Sequence, residues 1–290
     1  MGNLVKIMQF KNTGLDLEKE LKEKSEKDYV FGAFSLPDLS EIPEEERQDY
    51  LPEGEIQKGL EDFMDCASRG PLNILEAKFN YLINNNKLSN YSVRWLIENG
   101  YVNNGEVTLS DRFIAILSET TRIGNSLKAP LEAIRKYGLI PKSILPAERD
   151  MNFEEYHNRE KITEDLLQLG RDFNDRFFIN YERVDKEDFP EISKTNYINV
   201  AGYSWADPIN GEYGYVNNPP NHVFAIFKRI YYIFDNYLDF DEDFIKKLTP
   251  DYNFYKYGYK ITVNENPVKP EKRNLYQRFI SYIKKWFIYF

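Results

Sequence analysis

HVFAIFKRIYYIFDNY, residues 222–237, decides how this chain is read. Apolar, β-branched and aromatic residues fill it on both sides of Lys228-Arg229, so it reads as two strands, 222–227 and 230–234, joined by a short turn. His222 opens the first strand, directly after the loop Pro219-Pro220-Asn221, and Asp235-Asn236 closes the second. A ring that exchanges a proton near neutral pH thus stands at the mouth of an apolar strand. Position alone leaves a satisfied structural histidine open as well.

Working outward, 197–203 and 257–263 have the same strand composition. Upstream the pattern changes to helical spacing. Leu72, Leu75, Phe79, Leu82 and Ile83 share one face of a helix expected from about Cys66 to Asn86. A second helix runs to Asn99 and stops at Gly100. Asn103-Asn104-Gly105 marks a turn, Ser110 with Asp111 starts a helix, and another covers 127–137 before Gly138. The charged stretch 153–178, with its Phe/Leu stripe, also reads as helical. Helices before strands predict an α+β fold, with a helical lobe over about 55–180 and an antiparallel β lobe over about 190–265. Gly70-Pro71 weakens the start of this helix and leaves open a restart near Pro71, because proline cannot donate to the carbonyl four residues back.

The flanks differ from this body. Residues 1–27 form an arm, with LDLEKELKEKSEKD (15–28) a solvated charged helix, and 36–54 an extended strap carrying Pro37, Pro43 and Pro52. At the other end, 266–290 is set off by Pro267 and Pro270. Its tail 274–290 places Leu275, Phe279, Tyr282, Ile283, Trp286 and Phe290 at amphipathic helical spacing. Such a helix docks on its own body, on a protein partner or on a membrane surface.

Composition narrows the function. With 22 Tyr and 20 Phe in 290 residues, a sizeable core is expected. A net charge of -9 argues against a nucleic-acid partner. One cysteine excludes an intrachain disulfide and suits a reducing compartment. The start MGNLVKIMQFKNTG has no secretory pattern, and Lys6 stands where myristoylation needs Ser or Thr. The expected location is therefore cytoplasmic. One cysteine and two distant histidines give no metal cluster, and no glycine-rich phosphate loop is present, so neither metal nor cofactor is expected. Of the two histidines, His157 lies in the charged helix and reads as a surface residue. Cys66, in DFMDCAS, stands where a loop enters a helix, a setting that stabilises a thiolate; a buried structural thiol is the alternative.

Cys66, His222 156 residues later, and Asp235-Asn236 follow one another in an order that resembles the papain-like cysteine peptidases. HVFAIFKRIYYIFDNY looks like that family's histidine hairpin. Its Asp235-Asn236-Tyr237 ending resembles a phage and environmental bacterial branch whose hairpin ends Asp-Ser-Tyr. CASRGPLNILE (66–76), SDRF (110–113), TTRIGNS (120–126) and IRKYGLIPKSILP (134–146) look like that branch too, and the likeness spans about 28–263. The resemblance implies a site between the two lobes and a peptide or protein substrate, a cell-wall peptide or amide included. It implies Cys66 as nucleophile, His222 as base, Asp235 or Asn236 as orienter, and Gln57 as the side-chain oxyanion donor. The other reading is a weak or inactive scaffold with a structural or interaction role, such as a virion component.

Overall fold

The computed structural model describes residues 14–23, 38–203, 206, 208–216, 219–237 and 243–266. The amphipathic helix expected at 274–290 lies outside the described residues.

One helix and one sheet organise the body. The short α1 (Leu17–Glu23) comes first, then a strap with a turn of 3-10 helix at Arg47–Tyr50, then the long α2 (Cys66–Asn84). Next are α3 (Asn90–Glu98), the hairpin β1 (Val102–Asn103) and β2 (Glu106–Val107), α4 (Asp111–Leu117), α5 (Lys128–Tyr137), α6 (Phe153–Tyr156) and α7 (Glu164–Arg176). The remainder is mainly sheet: β3 (Phe177–Asp185), α8 (Phe189–Ile192), β4 (Ile198–Gly202), β5 (Glu212–Tyr213), β6 (His222–Lys228), β7 (Tyr232–Phe234), β8 (Ile245–Leu248) and β9 (Phe254–Glu265). The large sheet has the order β3-β9-β4-β6-β7-β8-β5, antiparallel except where β5 meets β8. The fold is α+β, a helical region followed by a large, mostly antiparallel sheet.

α2 is the spine. It is buried from Cys66 to Leu82, not along one stripe as the apolar spacing suggested. Buried polar groups need partners, and its own polar residues brace the surrounding loops. Asn73 donates to Asn236 Oδ1, Glu76 accepts from Leu109 N–H, Lys78 donates to Ser40 and Asn196, and Asn80 accepts from Val107 N–H.

The helix does not restart at Pro71: it is continuous from Cys66 through Gly70 and Pro71. Burial holds this segment in place of the missing hydrogen bond, since Gly70 and Pro71 are both enclosed. Gly70 also has a packing reason. A Cβ there would stand 2.4 Å from Asn199 Oδ1 on β4 and 3.1 Å from Val223 Cγ1 on β6. Its absence lets the start of α2 approach the histidine strand.

Two more readings need correction. The charged stretch ends as helix at Arg176, and Phe177 begins a nine-residue strand that pairs with β9 along its whole length. The alternation of Phe177, Ile179 and Tyr181 inward is the strand period, masked by the charged run before it. The strap is not plainly extended. Arg47 is buried in it and donates to the carbonyls of Ile42, Asn196 and Phe227, tying it down through three main-chain acceptors.

Candidate active site

The site forms where the first turn of α2 meets the first residues of β6. Asp62 Oδ1 accepts from Met64 N–H at 2.8 Å, and Met64 takes a left-handed backbone conformation with φ 56°. A non-glycine residue there is strained, and such strain gathers at functional sites. The kink brings Asp65 to the N-cap and Cys66 to the first helical position. Asp65 makes no side-chain cap bond. Its carboxylate instead receives Arg69 Nε at 2.9 and 3.0 Å and the Tyr156 hydroxyl. The first-turn N–H groups and the positive end of the helix therefore lie at the sulfur.

His222 faces that sulfur. Its Nε2 is 2.5 Å from Asp235 Oδ1, so Nδ1 is the ring nitrogen left for the Cys66 thiol, which acts on the ring electrostatically. A main-chain hydrogen bond from Val223 also reaches the thiol. Asp235 continues outward: Oδ2 accepts from Lys246 Nζ at 2.9 Å, and Oδ1 from Tyr237 N–H at 3.2 Å. The Tyr237 ring meets the imidazole edge-on, with centroids 5.7 Å apart.

Burial sets the protonation states. Cys66 and His222 are 1% and 3% exposed. Burial opposes the imidazolium, but Asp235 and Cys66 outweigh it and hold His222 up at about 10. Burial would raise Asp235; His222 and Lys246 instead bring it down to about 2. Burial pushes the Cys66 thiol up, against the pull of His222.

The cover over the thiol comes from the N-terminal segment. Gly14 and Leu15 are both buried. Leu15 N–H donates to Asn221 O at 3.3 Å, Asn125 N–H to Gly14 O at 2.9 Å, and Asp16 N–H to Asn125 O at 2.8 Å. The segment thus runs strand-like between the Gly124-Asn125 turn and the loop before β6. The following helix α1 is not simply solvated, as its charge suggested. Its Glu20 is buried, accepting from Leu127 N–H and bonded to the Tyr257 hydroxyl.

The remaining candidates are placed as follows. Asn236 points away from the imidazole: its Oδ1 accepts from Asn73, and its Nδ2 donates to Glu55 O. Neighbours along an extended chain face opposite ways, and here Asp235 takes the imidazole side. Gln57 is fully buried, with Nε2 3.1 Å from Asp62 Oδ1 and its main-chain N–H on Asn236 O. Asp62 in turn interacts electrostatically with both Cys66 and His222. His157 is half-buried rather than fully exposed. It lies against Phe153 and Tyr156, bonded to Phe63 O at 2.8 Å, and burial lowers its pKa.

Sequence reasoning missed Asp62, Tyr237 and Lys246. The signal for Lys246 was parity: in Ile245-Lys246-Lys247-Leu248 it shares a face with Leu248, which is buried. Among the described residues no group of His, Cys, Asp and Glu is arranged to hold a metal, and no helix is long and apolar enough to cross a membrane.

No family model matches the chain, and no curated protein matches it. Solved structures do. A cysteine protease from ragweed pollen, in its proform, is similar at 13% identity and TM-score 0.46, over 82% of this chain and 69% of its own. A digestive procathepsin L 3 from the larval midgut of Tenebrio molitor gives 12% identity and TM-score 0.48, over 87% and 76%. Xylellain, a cysteine protease from Xylella fastidiosa, gives 13% and 0.46, over 81% and 95%.

Proposed function

We propose that this chain is a papain-like cysteine peptidase that hydrolyses peptide bonds in a peptide or protein substrate. One observation carries the reading: a helix-initiating cysteine is electrostatically coupled to a histidine whose Nε2 is held by a buried carboxylate. In this arrangement His222 takes the Cys66 proton, and the thiolate attacks the substrate carbonyl. The oxyanion is met by Cys66 N–H and by the Gln57 amide, which Asp62 orients. His222 then protonates the leaving amine, and the C–N bond breaks to leave an acyl-enzyme. Water, deprotonated by His222, attacks the thioester and returns the free thiol. Asp235 holds the ring throughout.

The branch whose hairpin ends Asp-Ser-Tyr, and a cytoplasmic or virion setting, rest on the sequence alone. A second reading, an inactive scaffold with a structural or interaction role, is favoured by the covered thiol. The deciding experiment measures digestion of an unfolded protein substrate, together with Cys66 alkylation, in wild type, Cys66→Ala and His222→Gln. Hydrolysis lost in both variants supports the peptidase. No hydrolysis by any form, with alkylation indifferent to His222, rejects it in favour of the scaffold.

A further inference from the structure

A buried lysine needs a reason, because an ammonium without a partner is costly in an apolar interior. Lys246 is 2% exposed on β8, next to β7, where it pairs in register with Ile233. Its Nζ donates to Asp235 Oδ2 at 2.9 Å and to Tyr237 O at 2.7 Å. Asp235 and Tyr237, the first and third residues after β7, are thus gripped by one side chain.

The consequence falls on the carboxylate. A carboxyl group turns about its last bond in a broad torsional well. With Oδ2 taken by Lys246, Oδ1 is the oxygen presented to His222 Nε2, and Nδ1 is turned to Cys66. The groups facing this carboxylate are His222 from β6, Lys246 from β8, and the more distant phenol of Tyr252. Cys66 and Asp62 act on the His222 side.

We propose that Lys246 is a positioning residue of this site: it locks the Asp235 carboxylate so that the imidazole is fixed toward Cys66. The proposal rests on the peptidase reading of the same residues. It adds a requirement that the Cys-His-Asp order does not contain, a cation behind the acid.

The chain has two histidines, so ring nitrogen NMR on the full-length protein is readable, with His222→Gln assigning the signals. In wild type and in Lys246→Arg, the His222 Nε2 proton stays hydrogen-bonded far into acid. In Lys246→Met the bond is lost about one pH unit higher or more, because Asp235 no longer has a cation favouring its ionised form. Where the Met variant does not fold, Lys246→Gln, which still donates to Tyr237 O, is expected to show the same shift. A variant that melts earlier but keeps the wild-type ring spectrum and acid titration overturns the proposal. The peptidase reading fails separately, by Cys66 alkylation at equal rates in wild type and His222→Gln.

Discussion

Gly14 lies against Cys66: a Cβ on Gly14 would stand 3.0 Å from the cysteine Sγ and 2.6 Å from Met64 O. The backbone there has φ +115°, which side chains of L-residues rarely adopt. Gly14→Val therefore carries both a clash and a disfavoured conformation, and the segment leaves the thiol. Water then reaches the sulfur, the burial that raises its pKa is relieved, and reactivity increases. Alkylation of Cys66 at neutral pH should be faster than wild type by about tenfold or more, since a few kcal/mol suffice to shift a closed site. Equal rates by mass spectrometry would mean that the segment does not guard the thiol.

Gln57 offers a separate test of the chemistry. Its amide is fixed by Asp62 and its main chain by Asn236 and Phe63, so the loop holds without the side chain. Gln57→Ala should lower kcat by about 10²–10³ with little change in KM, as expected for a donor that acts in the transition state. A change confined to KM would place Gln57 in substrate binding instead.

The His222–Asp235 contact gives stability a pH signature. Asp235 falls from 3.8 to about 2 on folding, so its contribution is complete above 3.8 and is lost as pH drops through 2. His222 rises from 6.5 to about 10, so its contribution is complete below 6.5 and is lost as pH climbs through 10. Both windows share the His222–Asp235 contact, on the order of 2 kcal/mol, with Lys246 contributing to the acid one, and are not to be added. Urea melts across pH should show both losses in wild type, whereas His222→Gln should lack the alkaline loss and keep only a smaller acid loss, the part due to Lys246. Parallel curves for the two proteins would contradict the assignment.

Much of this was legible in the sequence where one local rule acted alone. Ser110 caps its helix, Gly138 ends α5, and the 222–237 hairpin forms as its composition suggests, with β6 and β7 close to the expected bounds. Two kinds of information were not local. Pro71 reads as a break because propensity is all that a window of sequence contains, whereas the surrounding sheet and loops keep the helix intact. Lys246 and Asp62 reach the site through tertiary contacts with Asp235 and Gln57; parity puts Lys246 on the buried face of its strand but does not name its partner. The same holds for the cover. Nothing in the charged run after Gly14 indicates that its first residues lie between Asn125 and Asn221.

Gly70 tests whether the approach of α2 to the sheet is what seats the cysteine. Alanine in a helix interior is normally favoured over glycine by about 1 kcal/mol. Here its Cβ meets Asn199 Oδ1 at 2.4 Å and Val223 Cγ1 at 3.1 Å, one residue from His222. Asn199 is fully buried on β4, and its amide atoms have no hydrogen-bond partner among the described residues. Overpacking should win over propensity, so Gly70→Ala is expected to destabilise by about 1–3 kcal/mol. Asn199→Ala removes the nearer obstacle without breaking a described hydrogen bond. The double variant should therefore recover part of the loss, giving a favourable coupling in a mutant cycle read by urea unfolding. The remaining clash is with Val223, whose main chain reaches the Cys66 thiol. Hydrolysis should thus stay low in the double variant even where stability returns. Recovery of both together would mean that the helix–sheet distance sets stability alone and that the dyad tolerates the displacement.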